Sequence, residues 1–376
     1  MDIRKSQASL SVDERKAVVR AFLALKNDVP SQLGLTNRYD DYVQIHVESM
    51  NVDPGWAHRG PAFCPWHRVL LRNLELDMQA VEPGVTLPYW DWTVDNSPDP
   101  NVSGSPWTDE FLGGTGDPNQ QGKVLTGPFA FDAGRWQLNI TDGDPGPFLA
   151  RALGVDPATL PTAANVQGAL QETPYDASSW TVGDQPSFRD RLEGWHGAGS
   201  VHNRVHLWVG GSMTPGTSPN DPVFFLHHCN VDRLWAEWQR LHPDQPYLPA
   251  AGDPGAPQGH RFDDPMQPWG GKVTPASTLD YQANLGYRYD TDPAPAQPVS
   301  PAAAVGGPFA LAAAAPGPEP SPLAAELHDT IVQPWKLPPR PAGAMIGMTG
   351  MHMGHMGPMF DLSPEDKAAG GHDPGL

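Results

Sequence analysis

The chain has 376 residues, of which 39% are hydrophobic, and it carries a formal net charge of −19. This length and apolar content suffice to bury a core, whereas the negative charge disfavours binding to nucleic acid and to anionic membrane surfaces, because phosphate groups would be repelled. The two cysteines, Cys64 and Cys229, are too few for a disulfide framework.

The N-terminal segment has charges scattered among its apolar positions and no uninterrupted apolar run, so we expect no signal peptide. No later apolar run reaches the length needed to span a membrane. The sequence therefore predicts a cytoplasmic protein, with export alongside a partner protein left open.

Three helices are predicted in the first part of the chain. Ser11 and Glu14 fit a capping box that opens the first of them. A second helix is predicted over residues 37–50. Pro65 is suited to the first position of a third helix, which continues through WHRVLLRNLELDMQAV.

Residues 95–190 are rich in Gly, Pro, Asp and Asn, which predicts long loops with short strands. The helical pattern returns at VHNRVHLW. It is strongest after Asn220 and Asp221, either of which could cap a helix that begins at Pro222.

Composition divides the chain into three parts. The ordered domain is predicted over residues 1–290, followed by a Pro/Ala-rich linker over 291–322. Residues 323–376 form a tail that contains the run MTGMHMGHM.

The 14 histidines are distributed unevenly along the chain. His202 and His206 are four residues apart, so both rings project from the same face of a helix. His228 lies on the next predicted helix, and His227 beside it must point in another direction. Six histidines form two sets of three: His46, His58 and His67, and then His202, His206 and His228.

Residue type alone does not choose the metal, because imidazole binds copper, zinc, nickel and iron. A structural zinc site would usually recruit cysteines, and a zinc protease needs H-E-x-x-H where this chain has HNRVH. A non-haem iron site would use two histidines and a carboxylate. Two all-histidine triads fit a pair of copper ions best.

Two segments, HRGPAFCPWHRVLLRNLE and DPVFFLHHCNVD, resemble the two copper-binding signatures of the tyrosinase family of type 3 copper proteins. The resemblance extends over about residues 1–290 and is closest to the small bacterial tyrosinases. It implies a mainly α fold with a central four-helix bundle that holds a dicopper site, together with long loops and few short strands. It also implies which side chains bind the two copper ions: His46, His58 and His67 for one, and His202, His206 and His228 for the other.

The resemblance further implies an activity, the oxidation by O2 of monophenols and o-diphenols to o-quinones through a side-on peroxide between the two coppers. Glu193 and Asn203 correspond to the residues that hold a water molecule for the phenolic proton. Leu207 and Ser218 are expected at the substrate entrance, where an uncharged mouth would accept a broad range of small phenols.

Three alternatives stay open at this point. The chain could be a catechol or o-aminophenol oxidase without efficient monophenol hydroxylation. It could bind O2 as haemocyanin does, or it could transfer copper.

The tail interleaves thioether and imidazole groups, which are soft ligands suited to Cu(I). We expect it to load copper in place of a separate copper-delivery partner, or to cover the active site, the alternative being a tail without a role. The expected copper-binding residues are Met351, His352, Met353, His355 and Met356. The bulky residues that could cover the site are Phe309, Trp335 and Phe360.

Overall fold

The protein is mainly helical, as predicted. The computed structural model describes residues 1–50, 52, 55–183, 185–293, 322–332, 335 and 360–370. The helices within these ranges are α1 (Val12–Asn27), α2 (Arg38–Met50), α3 (Phe63–Val81), α4 (Ala163–Leu170), α5 (Phe188–Glu193), α6 (Val201–Val209), α7 (Val223–Leu241), α8 (Pro275–Leu279), α9 (Tyr281–Leu285), α10 (Pro322–Val332) and α11 (Pro364–Gly370). Among these helices, none is long and apolar enough to cross a lipid bilayer.

Four short strands lie within the same described ranges: β1 (Asp2–Arg4), β2 (Gly116–Asp117), β3 (Lys123–Val124) and β4 (Tyr287–Tyr289). The first and last strands pair in parallel, with Asp2 opposite Tyr287. The other two strands form an antiparallel pair. The pairing of β1 with β4 joins the two ends of the 1–290 region.

Local sequence signals set the ends of several helices. The capping box predicted for α1 is present, since Ser11 Oγ accepts a hydrogen bond from the main-chain N–H of Glu14 and the Glu14 carboxylate accepts one from that of Ser11. Helix α2 begins one residue later than predicted.

Two helix starts differ from the prediction in register. Helix α3 begins at Phe63, so Pro65 lies third in its first turn, where a missing N–H is tolerated because the first N–H groups of a helix have no partner within it. Helix α7 begins at Val223, immediately after Pro222, and the Asp221 carboxylate accepts a hydrogen bond from the Val223 N–H at 3.0 Å.

Helices α2, α3, α6 and α7 carry five of the six predicted ligand histidines, and α3 packs along α7. A buried ionic network ties these two helices together: Arg68 Nε lies 2.5 Å from Asp232 Oδ1, and Arg4 contacts both Asp232 and Glu75. Because each charge is paired, the network fixes the position of α3 against α7 and β1.

The prediction of loops and short strands over residues 95–190 holds as far as α4, whereas α4 itself and the start of α5 were not predicted. Between α3 and α4, the strands β2 and β3 are accompanied only by short 3₁₀ turns among the described residues. Buried indole rings fill the space below these loops, with Trp90 edge-on to Trp107 and both rings near Trp208.

Part of the predicted tail packs on the 1–290 region. In α10, Leu327 is fully buried and Glu326 forms an ion pair with Lys272 at 2.7 Å. The Trp335 ring lies edge-on to Tyr42, with the Arg38 guanidinium over its face at 4.3 Å. Most of the predicted linker, residues 294–321, lies outside the described residues.

Both cysteines are buried free thiols. Burial raises the pKa of Cys229 to about 12 and raises that of Cys64 further. Neither thiol belongs to the groups of side chains that could bind a metal ion among the described residues.

Candidate dicopper site

The first cluster of histidines combines two helices and a loop. His46 lies on α2, His67 on α3, and His58 on the loop that precedes α3. The His58 ring centroid lies 4.9 Å from each of the other two. One nitrogen of each ring lies within 4.8 Å of the others, so the cluster could hold one metal ion.

The second cluster lies on α6 and α7 and comprises His202, His206, His227 and His228. The Nε2 atom of His228 is 3.3 Å from that of His202 and 3.4 Å from that of His206. The ring of His67 stacks on that of His228 with centroids 4.2 Å apart, so the two clusters face each other across the α3–α7 contact.

Main-chain carbonyls orient four of the six predicted ligands. The Nδ1 atoms of His46, His67 and His206 each lie 2.8 Å from a carbonyl oxygen, and that of His202 lies 3.1 Å from the carbonyl of Glu193. A carbonyl can only accept, so each Nδ1 carries the proton and each Nε2 presents a lone pair. The Nε2 lone pairs of His202 and His206 both lie close to His228 Nε2, so a cation bound among these three nitrogens would be stabilised by at least two lone pairs.

Burial also keeps these rings neutral. It lowers the pKa of His46 to about 3 and that of His202 to about 4. The pKa values of the other four lie well below the usual value, because burial is reinforced by neighbouring imidazoles: His58, His67, His206 and His228. Neutral imidazole is the form that binds a metal ion, so the donor set fits two copper ions.

His227 lies within the second cluster, where its ring stacks on His202 with centroids 5.0 Å apart. The Trp92 indole Nε1–H donates to His227 Nδ1 at 3.1 Å, so the proton of the neutral His227 ring lies on Nε2. In this tautomer neither nitrogen offers a free lone pair, and His227 stays a predicted neighbour of the site.

The predicted proton-accepting pair lies beside His202. Glu193 is 1% exposed, and its carboxylate accepts hydrogen bonds from the Arg59 main-chain N–H at 2.7 Å and from Arg189 Nη1 at 3.1 Å. Burial raises the pKa of Glu193 to about 7, with Arg189 opposing the shift. Asn203 Oδ1 lies 3.0 Å from His202 Nδ1, which directs its Nδ2 amide away from that ring.

The two residues predicted at the substrate entrance differ from each other in solvent exposure. Leu207 is partly exposed on α6. Ser218 is fully buried, and its hydroxyl has no hydrogen-bond partner. The predicted copper-binding run 351–356 and Phe309 lie outside the described residues.

The side chain of Phe360 covers the site. Its ring stacks on His206 with centroids 3.7 Å apart and planes inclined by 15°, and it lies edge-on to His202 at 5.6 Å. The ring is also 6.5 Å from that of His58, so it contacts both clusters. The structure describes two of the candidate covering residues. Phe360 lies at the site, whereas Trp335 packs against α2.

The residues after Phe360 are attached to α6. Asp361 accepts a hydrogen bond through its main-chain oxygen from Asn203 Nδ2 at 3.2 Å. The Asp366 carboxylate accepts hydrogen bonds from Ser200 Oγ at 2.6 Å and from the Gly199 N–H at 2.8 Å. These contacts fix the segment against the beginning of α6.

Sequence reasoning missed two residues that support the site. Arg189 is fully buried and binds the carboxylates of Asp176 and Glu193. His260, from the loop between α7 and α8, contacts the segment that carries His58. The contacts of His260 are distant in sequence, so no motif could reveal it, whereas the i, i+4 spacing of Arg189 and Glu193 on α5 was a short-range signal that was available.

Comparison with known proteins agrees with this geometry. The profile described as the common central domain of tyrosinase matches residues 36–241. A tyrosinase from Streptomyces antibioticus is 45% identical over 295 residues, covering 77% of this chain and 100% of the relative. A grixazone synthase from Streptomyces griseus is 37% identical over 322 residues, covering 77% and 99% of the two chains.

A solved structure supports the fold. The tyrosinase from Burkholderia thailandensis superposes with a TM-score of 0.52 and 20% identity, covering 78% of this chain and 75% of that one. The profile match spans more than half of the chain, and the Streptomyces relative is matched over its whole length. The chain therefore belongs to the tyrosinase family.

Proposed function

We propose that this protein uses two copper ions to oxidise small phenols with O2, converting monophenols and o-diphenols to o-quinones. The observation that carries the proposal is the pair of facing clusters of neutral imidazoles, four of which have Nδ1 bound to a carbonyl and Nε2 directed inward. Membership of the tyrosinase family supports the same activity.

The ligands are assigned as the sequence predicted. His46, His58 and His67 would hold one copper, and His202, His206 and His228 the other. When bound, the two ions supply the two electrons that O2 accepts and bind the phenol oxygen.

Glu193 and Asn203 would manage the phenolic proton. A phenol has a pKa near 10, so a base is needed to form the phenolate near neutral pH. The raised pKa of Glu193, about 7, suits that task. The Asn203 amide, which His202 orients, would place a water molecule between the phenol and the Glu193 carboxylate.

The test is O2 consumption by the copper-loaded protein with a para-substituted monophenol and then with the matching catechol. Uptake with both substrates supports the proposal. Uptake with the catechol alone would indicate a catechol or o-aminophenol oxidase and would contradict the role of Glu193 and Asn203. No uptake by either the native protein or a Phe360→Ala variant, each with two coppers bound, would contradict the enzymatic reading.

We also propose that residues 360–370 act as a lid. The Phe360 ring occupies the space beside His206 that an aromatic substrate would need. The main-chain oxygen of Asp361 accepts a hydrogen bond from the Asn203 amide, which would otherwise orient the water molecule. Closure would therefore block both the phenol and its proton acceptor. Opening would require the loss of the Asp366 contacts with Gly199 and Ser200.

Copper loading by the tail is a separate proposal. The Met/His run ends at Met356, four residues before Phe360 in the chain. Its support is the soft-ligand composition, which suits Cu(I). The test compares copper uptake from a limiting Cu(I) donor by the native protein and by a variant with Leu for Met351, Met353 and Met356. Equal uptake rates would contradict a loading role and favour a separate delivery partner.

A further inference from the structure

Among the described residues, His58 and His228 are the predicted ligands whose Nδ1 atoms have no hydrogen-bond partner, and of these two only His58 lies in a loop and not on a helix. Both of its ring nitrogens are buried and have no hydrogen-bond partner, whereas the Nδ1 atoms of His46, His67, His202 and His206 are bound to carbonyls. Its ring position therefore depends on the main chain of residues 55–62, which belongs to a loop.

His260 bridges the two ends of that loop. The Ala62 main-chain N–H donates to His260 Nδ1 at 3.1 Å, and His260 Nε2 lies 2.7 Å from the Gly55 carbonyl oxygen. The first contact requires a lone pair on Nδ1 and the second a proton on Nε2, so the two bonds together select one tautomer of the neutral ring. The His260 ring thereby sets the distance between the two ends of the loop, one before and one after His58 in the chain.

Close packing strengthens this bridge. A Cβ at Gly60 would lie only 2.9 Å from His260 Cε1, so a glycine is needed there for the ring to approach the loop. The Tyr247 hydroxyl donates to the His260 carbonyl at 2.8 Å, and the Tyr175 hydroxyl donates to the Pro61 carbonyl at 2.7 Å. His260 is 2% exposed, which shields both of its hydrogen bonds from water.

We infer that His260 is a positioning residue for His58, acting through the main chain of the loop in place of the hydrogen bond that the His58 ring lacks. This inference rests on the proposed function, because it takes His58 as a copper ligand. Hydrogen-bonding partners that orient a metal ligand typically change metal affinity by about 10- to 100-fold when they are removed.

The experiment uses three variants of the full chain. His260→Gln keeps an acceptor for Ala62 and a donor for Gly55, whereas His260→Phe fills the space without either. His242→Phe is the matched control, because among the described residues the His242 ring makes one hydrogen bond, with the Leu170 carbonyl, away from the copper site. Copper bound per chain is measured during titration with a competing chelator, together with the melting temperature of the metal-free protein.

The native protein and His242→Phe should each bind two coppers with similar affinities. His260→Phe should hold the more weakly bound copper about 10- to 100-fold less tightly, and His260→Gln should recover most of that loss. Two coppers bound to His260→Phe with native affinity would overturn the inference, even if its melting temperature fell. Failure of the native protein to bind two coppers would instead contradict the proposed function.

Discussion

Replacing Phe360 with alanine should open the active site. Full burial of a phenylalanine side chain contributes about 1.5–3 kcal/mol, and an aromatic stack adds about 0.5–1.5 kcal/mol. Phe360 is 4% exposed and stacks on His206, so its truncation should weaken closure by about 2–4 kcal/mol. At 1.4 kcal/mol per tenfold change, the closed state becomes roughly 30- to 700-fold less favoured.

The kinetic signature follows from competition between the lid and the substrate for one space. If only the open fraction binds a phenol, closure raises the apparent KM and leaves kcat unchanged. We therefore expect Phe360→Ala to lower the apparent KM for a catechol at least tenfold. The apparent KM stops falling once the site is fully open. The assay is initial O2 consumption over a range of catechol concentrations, at equal copper content.

Controls separate the lid from general effects. Phe131→Ala removes a partly exposed phenylalanine on a distant 3₁₀ turn and should leave KM unchanged. Asp366→Asn keeps the lid ring but weakens its attachment to Gly199 and Ser200, so it should lower KM by a smaller factor. An unchanged KM in Phe360→Ala with two coppers bound would refute the lid.

Three further predictions concern the buried charges and the histidines. Glu193→Gln should reduce kcat/KM for a monophenol by roughly 10²- to 10⁴-fold, because it removes the proton acceptor, and should reduce kcat/KM for the matching catechol by less. Equal losses of kcat/KM in steady-state assays of the two substrates would contradict this role. Arg189→Met should lower the free energy of unfolding in urea by about 3–5 kcal/mol, because it leaves buried carboxylates unpaired. A decrease below about 1 kcal/mol would show that those carboxylates are neutral or hydrated. The metal-free protein should lose stability as pH falls below 6.5. The folded-state pKa values of His46 and His202 are about 3 and about 4, so these rings stay neutral in the folded protein while the same imidazoles take up protons in the unfolded chain. Between pH 7.5 and 5.5 each of these two should cost about 1.4 kcal/mol, and a urea midpoint independent of pH over that range would contradict their neutrality.

Short-range patterns in the sequence predicted five of the eleven described helices, α1, α2, α3, α6 and α7, and placed five of the six candidate ligand histidines on four of them. The i, i+4 spacing placed His202 and His206 on one face of α6, because the helical repeat alone decides that direction. The capping box at Ser11 likewise fixed the start of α1 from contacts three residues apart. The starts of α3 and α7 were off by one or two residues, since a proline is tolerated at several positions at and just before the first turn.

Local patterns along the chain specify the residue chemistry: two sets of three histidines, five of which lie on helices whose signals span a few residues. Packing between distant segments determines which groups support and cover these histidines. Arg189 contacts Asp176 across 13 residues of sequence. The bridge from His260 to Gly55 spans 205 residues, and the stacking of Phe360 on His206 spans 154. The two longest have no periodicity or spacing to reveal them, because they form only when distant loops pack against the bundle.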